Sequence, residues 1–264
     1  MATRSPAAAV AAACLIAALT ACGIGSDIPD QPPNPTTEPE TPEATTTGDQ
    51  DPTDDDPAPA TAPPECDGIL FGTDQEIDGM VLGDCMAAAM LAAGSGAHVV
   101  ENSTGTSYAQ YEWTPDFSMH VQGEVEVVLR GDDGWMRTET GGWVRGDVNS
   151  ADPEEMMAGT MVELVRAFGD PRAIASVLAQ TSWLMNGQES VPDDEALADT
   201  AWLLEPTGTI EMFGVTATDV QLWLGADYLG VYFVATASAM GVSDTTSNTF
   251  TQWGQPVEIP DPGE

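Results

Sequence analysis

The side chains of this chain with the widest chemistry are four cysteines, at positions 14, 22, 66 and 85, and two histidines, His98 and His120. A thiol can be acylated, oxidised to a disulfide or bound to zinc, and an imidazole can share a metal or move a proton. Carboxylates are abundant: 43 Asp and Glu stand against six arginines and no lysine, for a formal net charge of -37. The missing lysine removes a Walker A phosphate loop, a Schiff-base nucleophile, a Ser-x-x-Lys acyl-transfer site and the kinase lysine. No Gly-x-Ser-x-Gly elbow or His-Glu-x-x-His helix occurs, and neither "DPTDDDP" nor "GDDG" has the ligand spacing of an EF-hand. The run Asp193, Asp194 and Glu195 reads as a solvated charge cluster. The expectation is therefore a protein that is not an enzyme and holds no cofactor or metal. Its charge excludes nucleic acid as a partner and opposes anionic lipid headgroups.

The cysteines sort by position. Residues 1–21 carry one positive side chain, Arg4, and an Ala-rich apolar run from Ala7 to Leu19. The run falls short of the roughly 20 apolar residues that span a bilayer, so it reads as a secretory signal. Leu19, Thr20, Ala21 and Cys22 resemble a bacterial lipobox, in which a small residue precedes a cysteine that is acylated and then left as the first residue. Cys22 is the expected lipidation site and the link to the membrane, while Cys14 leaves with the signal. The alternative is an ordinary signal peptide cut nearby, with Cys22 a free thiol.

Residues 22–65 form the expected tether. From Gly23 to Glu65, 30 of 43 positions are Pro, Asp, Glu or Thr and none is aromatic. Such a segment buries too little apolar surface to offset its ordering entropy. In polyproline II it would reach about 130 Å at ~3.1 Å per residue, and as a flexible coil roughly 35 to 40 Å. Its Thr and Pro content also suits O-glycosylation.

Composition changes at Cys66, and residues 66–264 form the expected folded domain. Cys66 and Cys85 are an even pair in an exported chain, which predicts a disulfide worth roughly 3 kcal/mol in the chain-entropy model. The alternative is a metal site shared with His98 and His120, whose spacings match no zinc pattern. Both histidines otherwise read as surface residues. A helix is expected over Asp84 to Ala93, stopped by Gly94. The stretch "FSMHVQGEVEVVL" alternates strictly from Phe117 to Leu129, which predicts one strand about 43 Å long at ~3.3 Å per residue. Phe117, Met119, Val121, Val125, Val127 and Leu129 would share its apolar face. "DGWMRTETGGWVRGD" (Asp133 to Asp147) reads as a hairpin.

Two helices follow, each started by an Asp-Pro pair. Asp152 and Pro153 lead Met157, Met161, Leu164, Val165 and Phe168 at helical spacing, and Asp170 and Pro171 lead Ile174, Val177 and Leu178. Between Trp183 and Trp202, "NGQESVPDDEA" reads as a polar surface loop. Four more strands are expected, over 207–215, 216–227, 228–237 and 245–260. Strands, two helices and strands again argue for an α+β fold with helices on one face of a curved antiparallel sheet.

This order of parts resembles the actinobacterial LppX/LprG-type lipoproteins. The likeness rests on the lipobox at Cys22, the hairpin "DGWMRTETGGWVR", the helices after "DPEEMM" and "DPRAIA", and the closing "LWLGADYLGVYFVATA" with Trp253 to Ile259 as a Trp-Gly-x-Pro-Val-x-Ile ending. It covers about residues 84–260. The resemblance implies a bent half-barrel sheet closed on its concave side by helices, as in the LolA carrier, with a hydrophobic cavity for acyl chains of envelope lipids. Pliable Met residues suit such chains. On topology, the cavity candidates are Met119, Val121 and Val125 on the long strand and Met156, Met157, Met161, Leu164, Phe168 and Leu178 on the helices. The same residues also fit a plain core. Two functions follow: a lipid or glycolipid carrier tethered outside the cell membrane, or a sensing domain of the same shape that binds an envelope protein partner.

Overall fold

The computed structural model describes residues 62–212, 215–239 and 242–263. The signal segment 1–21, the lipidation site Cys22 and the tether as far as Thr61 lie outside the described residues. A single 3-10 turn, Pro64–Cys66, opens the fold. Short β1 (Gln75–Ile77) precedes helix α1 (Gly79–Ala93), and six strands follow: β2 (Ser95–Asn102), β3 (Gly105–Glu112), β4 (Ser118–Gln122), β5 (Val127–Arg130), β6 (Asp133–Arg137) and β7 (Trp143–Arg145). Helices α2 (Pro153–Gly169) and α3 (Pro171–Leu178) interrupt them. The chain closes with β8 (Trp183–Ser190), β9 (Thr200–Pro206), β10 (Ile210–Met212), β11 (Val215–Leu224), β12 (Gly230–Ala239) and β13 (Val242–Trp253).

The thirteen strands of the described residues belong to one antiparallel sheet in the order β1-β8-β9-β11-β12-β13-β2-β3-β4-β5-β6-β7, with β10 beside β11. Its ends, β1 and β7, do not pair with each other among the described residues, so the sheet is open. The molecule is an α+β protein.

Each helix starts where its cap residue dictates. Asp78 Oδ1 accepts from the backbone N–H of Met80 and Val81, at 2.9 and 3.3 Å. Asp152 accepts from Glu154 at 2.8 Å and Asp170 from Arg172 at 2.9 Å, each ahead of a proline that needs no partner for its missing donor. Gly94 ends α1 at φ 80°, a conformation costly for other residues. Helix α1 begins five residues before the expected Asp84, because Gly79 and Gly83 are not helix breakers here. They form the side on which α3 lies, and a Cβ on Gly83 would sit 2.6 Å from the Ala175 carbonyl.

The long strand expected over Phe117 to Leu129 is instead a hairpin. Its arms β4 and β5 pair Val121 with Val127 and Met119 with Leu129. Residues 123–126 make the turn, so Val125 lies at the hairpin tip, 36% exposed. The alternation survived because an odd number of residues lies between the members of each pair, which gives both members the same place in the alternation. The hairpin β6–β7 forms as expected, with Trp135 opposite Arg145 and Arg137 opposite Trp143. The loop expected between Trp183 and Trp202 is shorter than its polarity suggested: Asn186 to Ser190 continue β8, and only residues 191–199 leave the sheet.

Candidate functional site

The helices cover one face of the sheet, and their contact with it divides into two halves. Under α1 and α3, Leu82, Cys85, Met86 and Leu178 pack on Trp183, Met185, Leu204, Ile210, Leu222 and Leu224. Trp183, Leu82, Met185, Leu204 and Leu224 are completely buried. Cys66 and Cys85 are joined as a disulfide that fastens the entering chain to α1. Both sulfurs are thus consumed, which removes the zinc alternative. The Trp183 indole N–H donates to the Leu178 carbonyl at 3.0 Å, satisfying an acceptor at the open end of α3.

Under α2, Val162 packs with Met161 and Val165 on Ala109, Tyr111, Met119, Val127 and Leu129, with Phe117, Val121 and Met136 at the edge. Polar and backbone contacts fix the ends of this helix. Arg166 donates to the carbonyls of Gly131 and Asp132, at 2.6 and 3.1 Å. The Trp113 indole donates to the Gly169 carbonyl at 3.0 Å, and the Asp147 N–H donates to the Glu155 carbonyl at 2.9 Å.

An aromatic seam lies between the halves. Trp253 stacks on Phe250 and Trp113, with centroids 5.2 and 6.3 Å away, and Tyr111 lies against Trp113 at 4.7 Å. His98 sits between Tyr111 and Phe250, at 5.5 and 5.4 Å, with Nδ1 3.3 Å from the Tyr111 hydroxyl. Burial pushes its imidazole down to about 4 and pushes the Tyr111 phenol up. His98 is therefore an aromatic-core residue rather than the expected surface one. His120 is half-buried on the sheet face away from Met119, with its side chain 14% exposed and Nε2 3.1 Å from Glu126. Burial works against the Glu126 carboxylate, but Arg137, at 2.9 Å, and His120 outweigh it and hold its pKa below the usual carboxylate value.

The candidate residues do not gather in one place. Met119, Val121 and Met161 meet under α2, and Leu164 is half-buried on the same helix. Leu178 belongs to the other half, under α3. Met156, Met157 and Phe168 are 46, 62 and 45% exposed, so the outer side of α2 carries them.

The opposite face of the sheet holds a feature the sequence reading missed. Val191, Ala196 and Ala198 of loop 191–199 pack on Ala201, Leu203, Trp223 and Val231, and Asp193 accepts a 2.5 Å hydrogen bond from the buried Thr249. Asp193 is thus a loop anchor as well as part of a charge run. Beside it lies a cleft of about 340 Å³ lined by Val99, Glu101, Pro192, Asp193, Asp194, Glu195 and Tyr232. Small apolar residues two apart in "VPDDEALA" were the signal that this loop has an inner side. Among the described residues no helix is long and apolar enough to cross a membrane.

No protein-family model matches the chain, and no curated protein matches it. Among solved structures the chain is similar to the crystal structure of LprF from Mycobacterium bovis, at 13% sequence identity and a TM-score of 0.42, over 72% of this chain and 99% of that chain.

Proposed function

We propose that this chain is an exported lipoprotein, held at the extracytoplasmic face of the cell membrane by an acylated Cys22, that binds acyl chains of an envelope lipid or glycolipid between α2 and the sheet. The reading takes the sheet as a LolA-like half-barrel and assigns no catalytic role. One observation carries it: the contact between α2 and the sheet is lined by Met119, Val121 and Met136 from the strands and by Met161 from the helix, a pliable apolar lining at a helix whose ends are fixed by polar contacts. Displacing α2 would open that lining without breaching the core under α1 and α3.

Native mass spectrometry of the chain expressed in an actinobacterial host tests this. A retained hydrophobic ligand is expected, and a bare chain that also fails to bind bis-ANS-type probes would overturn the carrier reading. The anchor has its own test, since a Cys22→Ala chain should leave the membrane fraction. A second reading, a sensing or partner-binding domain without lipid transfer, draws on the aromatic seam, which fills the centre of the helix face with the protein's own rings. A tight protein partner with no retained ligand would favour it.

A further inference from the structure

Helix α1 presents three sides. Leu82, Cys85, Met86, Ala89 and Met90 face the sheet and Gly79 and Gly83 face α3, which leaves Met80, Val81, Asp84, Ala88, Leu91 and Ala92 outward. That outward side is apolar except for Asp84, in a chain with a net charge of -37. Met80 is 61% and Leu91 46% exposed, and Leu70, in the entering chain, is 69% exposed. A helix apolar on all sides is ordinarily enclosed on all sides. Here none of the described residues covers the outer side.

We propose that this side of α1 rests on the lipid surface to which the chain is tethered. The inference builds on the anchoring through Cys22 proposed above. Three observations select a lipid surface over other occupants. The 61 residues that precede the described chain join it at the Pro64–Cys66 turn, and the Cys66–Cys85 disulfide fixes that turn to α1. The route to the membrane therefore leaves from this helix.

A second copy of the chain fits poorly. A 15-residue helix offers a strip about 22 Å long and ~10 Å wide, roughly 220 Å² per copy against the ~800 Å² of a stable interface, and the like charges repel. A lipid surface has no such minimum area. The acidic cleft of Glu101 and Asp193 to Glu195 lies on the opposite face of the sheet, so docking through α1 points it away from the bilayer. The predicted surface is uncharged or zwitterionic, because anionic headgroups would meet Asp84 and the acidic chain.

The test uses the full processed chain, acylated on Cys22, in phosphatidylcholine vesicles. With Cys66 and Cys85 joined and Cys22 acylated, Leu91→Cys adds a free thiol for a nitroxide label, and Ser243→Cys does so on the opposite face. The Leu91 label should lie ~5–10 Å below the headgroups, reached by oxygen and shielded from aqueous nickel, while the Ser243 label stays in water. Adding Met80→Asp should return the Leu91 label to water in chains that still float with the vesicles. Flotation with an aqueous Leu91 label in the parent chain overturns the docking and leaves the anchor standing. Failure to float, with an aqueous label, overturns both. Dipolar broadening between Leu91 labels would give the face to a second copy and also overturn the proposal.

Discussion

The two halves of the helix–sheet contact are built from different materials. Under α1 and α3 the bonding is apolar volume: an enclosed Trp183, fully buried Leu82, Met185, Leu204 and Leu224, a disulfide, and glycines that let two helices touch. Under α2 the helix buries only Ala158, Gly159, Val162 and Gly169, and polar contacts at its ends to the β5–β6 turn, to Asp147 and to Trp113 hold it in place. Apolar burial resists opening in proportion to the area exposed, whereas these hydrogen bonds, at half-buried and exposed groups, are exchanged for bonds to water when the helix lifts. The difference teaches where the fold can yield. The first half is a foundation, and the second is a cover.

The comparison breaks first if the foundation is not one. Trp183→Ala should cost ~3–5 kcal/mol, because it empties a closed site and strips the Leu178 carbonyl of its donor. Urea unfolding of the purified chain reads this directly, and a loss near that of a surface change would refute the division. Replacing Cys66 and Cys85 together by serine should cost ~3 kcal/mol in the chain-entropy model. Proteolysis should then begin at the entering chain before it reaches α2.

The seam between the halves gives a smaller, pH-dependent effect. The folded His98 binds its proton only near pH 4, whereas the unfolded imidazole takes it up near its ordinary value of 6.5. Between those values the unfolded state binds more protons, so stability is full above about pH 6.5 and declines as pH falls toward 4. Allowing for the partial exposure of His98, the decline it adds is about 2 kcal/mol. Tyr111, raised by burial, stays neutral throughout and adds nothing to it. Denaturation midpoints at pH 7 and pH 4.5 should differ less in His98→Gln than in the parent; equal differences would place the imidazole in water.

Much of this was legible where one residue type has one mechanical use. Asp152-Pro153 and Asp170-Pro171 mark helix starts because capping needs a short acceptor next to a residue without a donor, and Gly94 marks a stop through its positive φ. Legibility failed where a pattern has two causes. Alternation from Phe117 to Leu129 suits one strand or a hairpin with an odd number of residues between paired positions, and glycines 79 and 83 suit a loop or a close helix contact. It failed again where burial comes from distant chain: nothing local to His98 announces Phe250, and nothing local to Asp193 announces Thr249. The cavity candidates show both limits. Helical spacing correctly put the six candidates of α2 and α3 on helices, but it cannot say which turns of α2 face the sheet, so Met161 was placed beside Met156 and Met157.

The smallest expected effect is the sharpest test of the cover. Met157 is 62% exposed, so Met157→Ala should change global stability by ~0.5 kcal/mol or less. The same must hold for Met156→Ala if the outer side of α2 contributes nothing to the closed state. A cost above ~1 kcal/mol would mean that these methionines are packed in solution, and the helix would then belong to the foundation rather than above it. Near-neutral stability combined with weaker retention of a hydrophobic ligand would separate the two roles. The outer methionines would then act in an opened state, turned toward an acyl chain when α2 moves, which is the behaviour that a cover fixed by polar contacts permits.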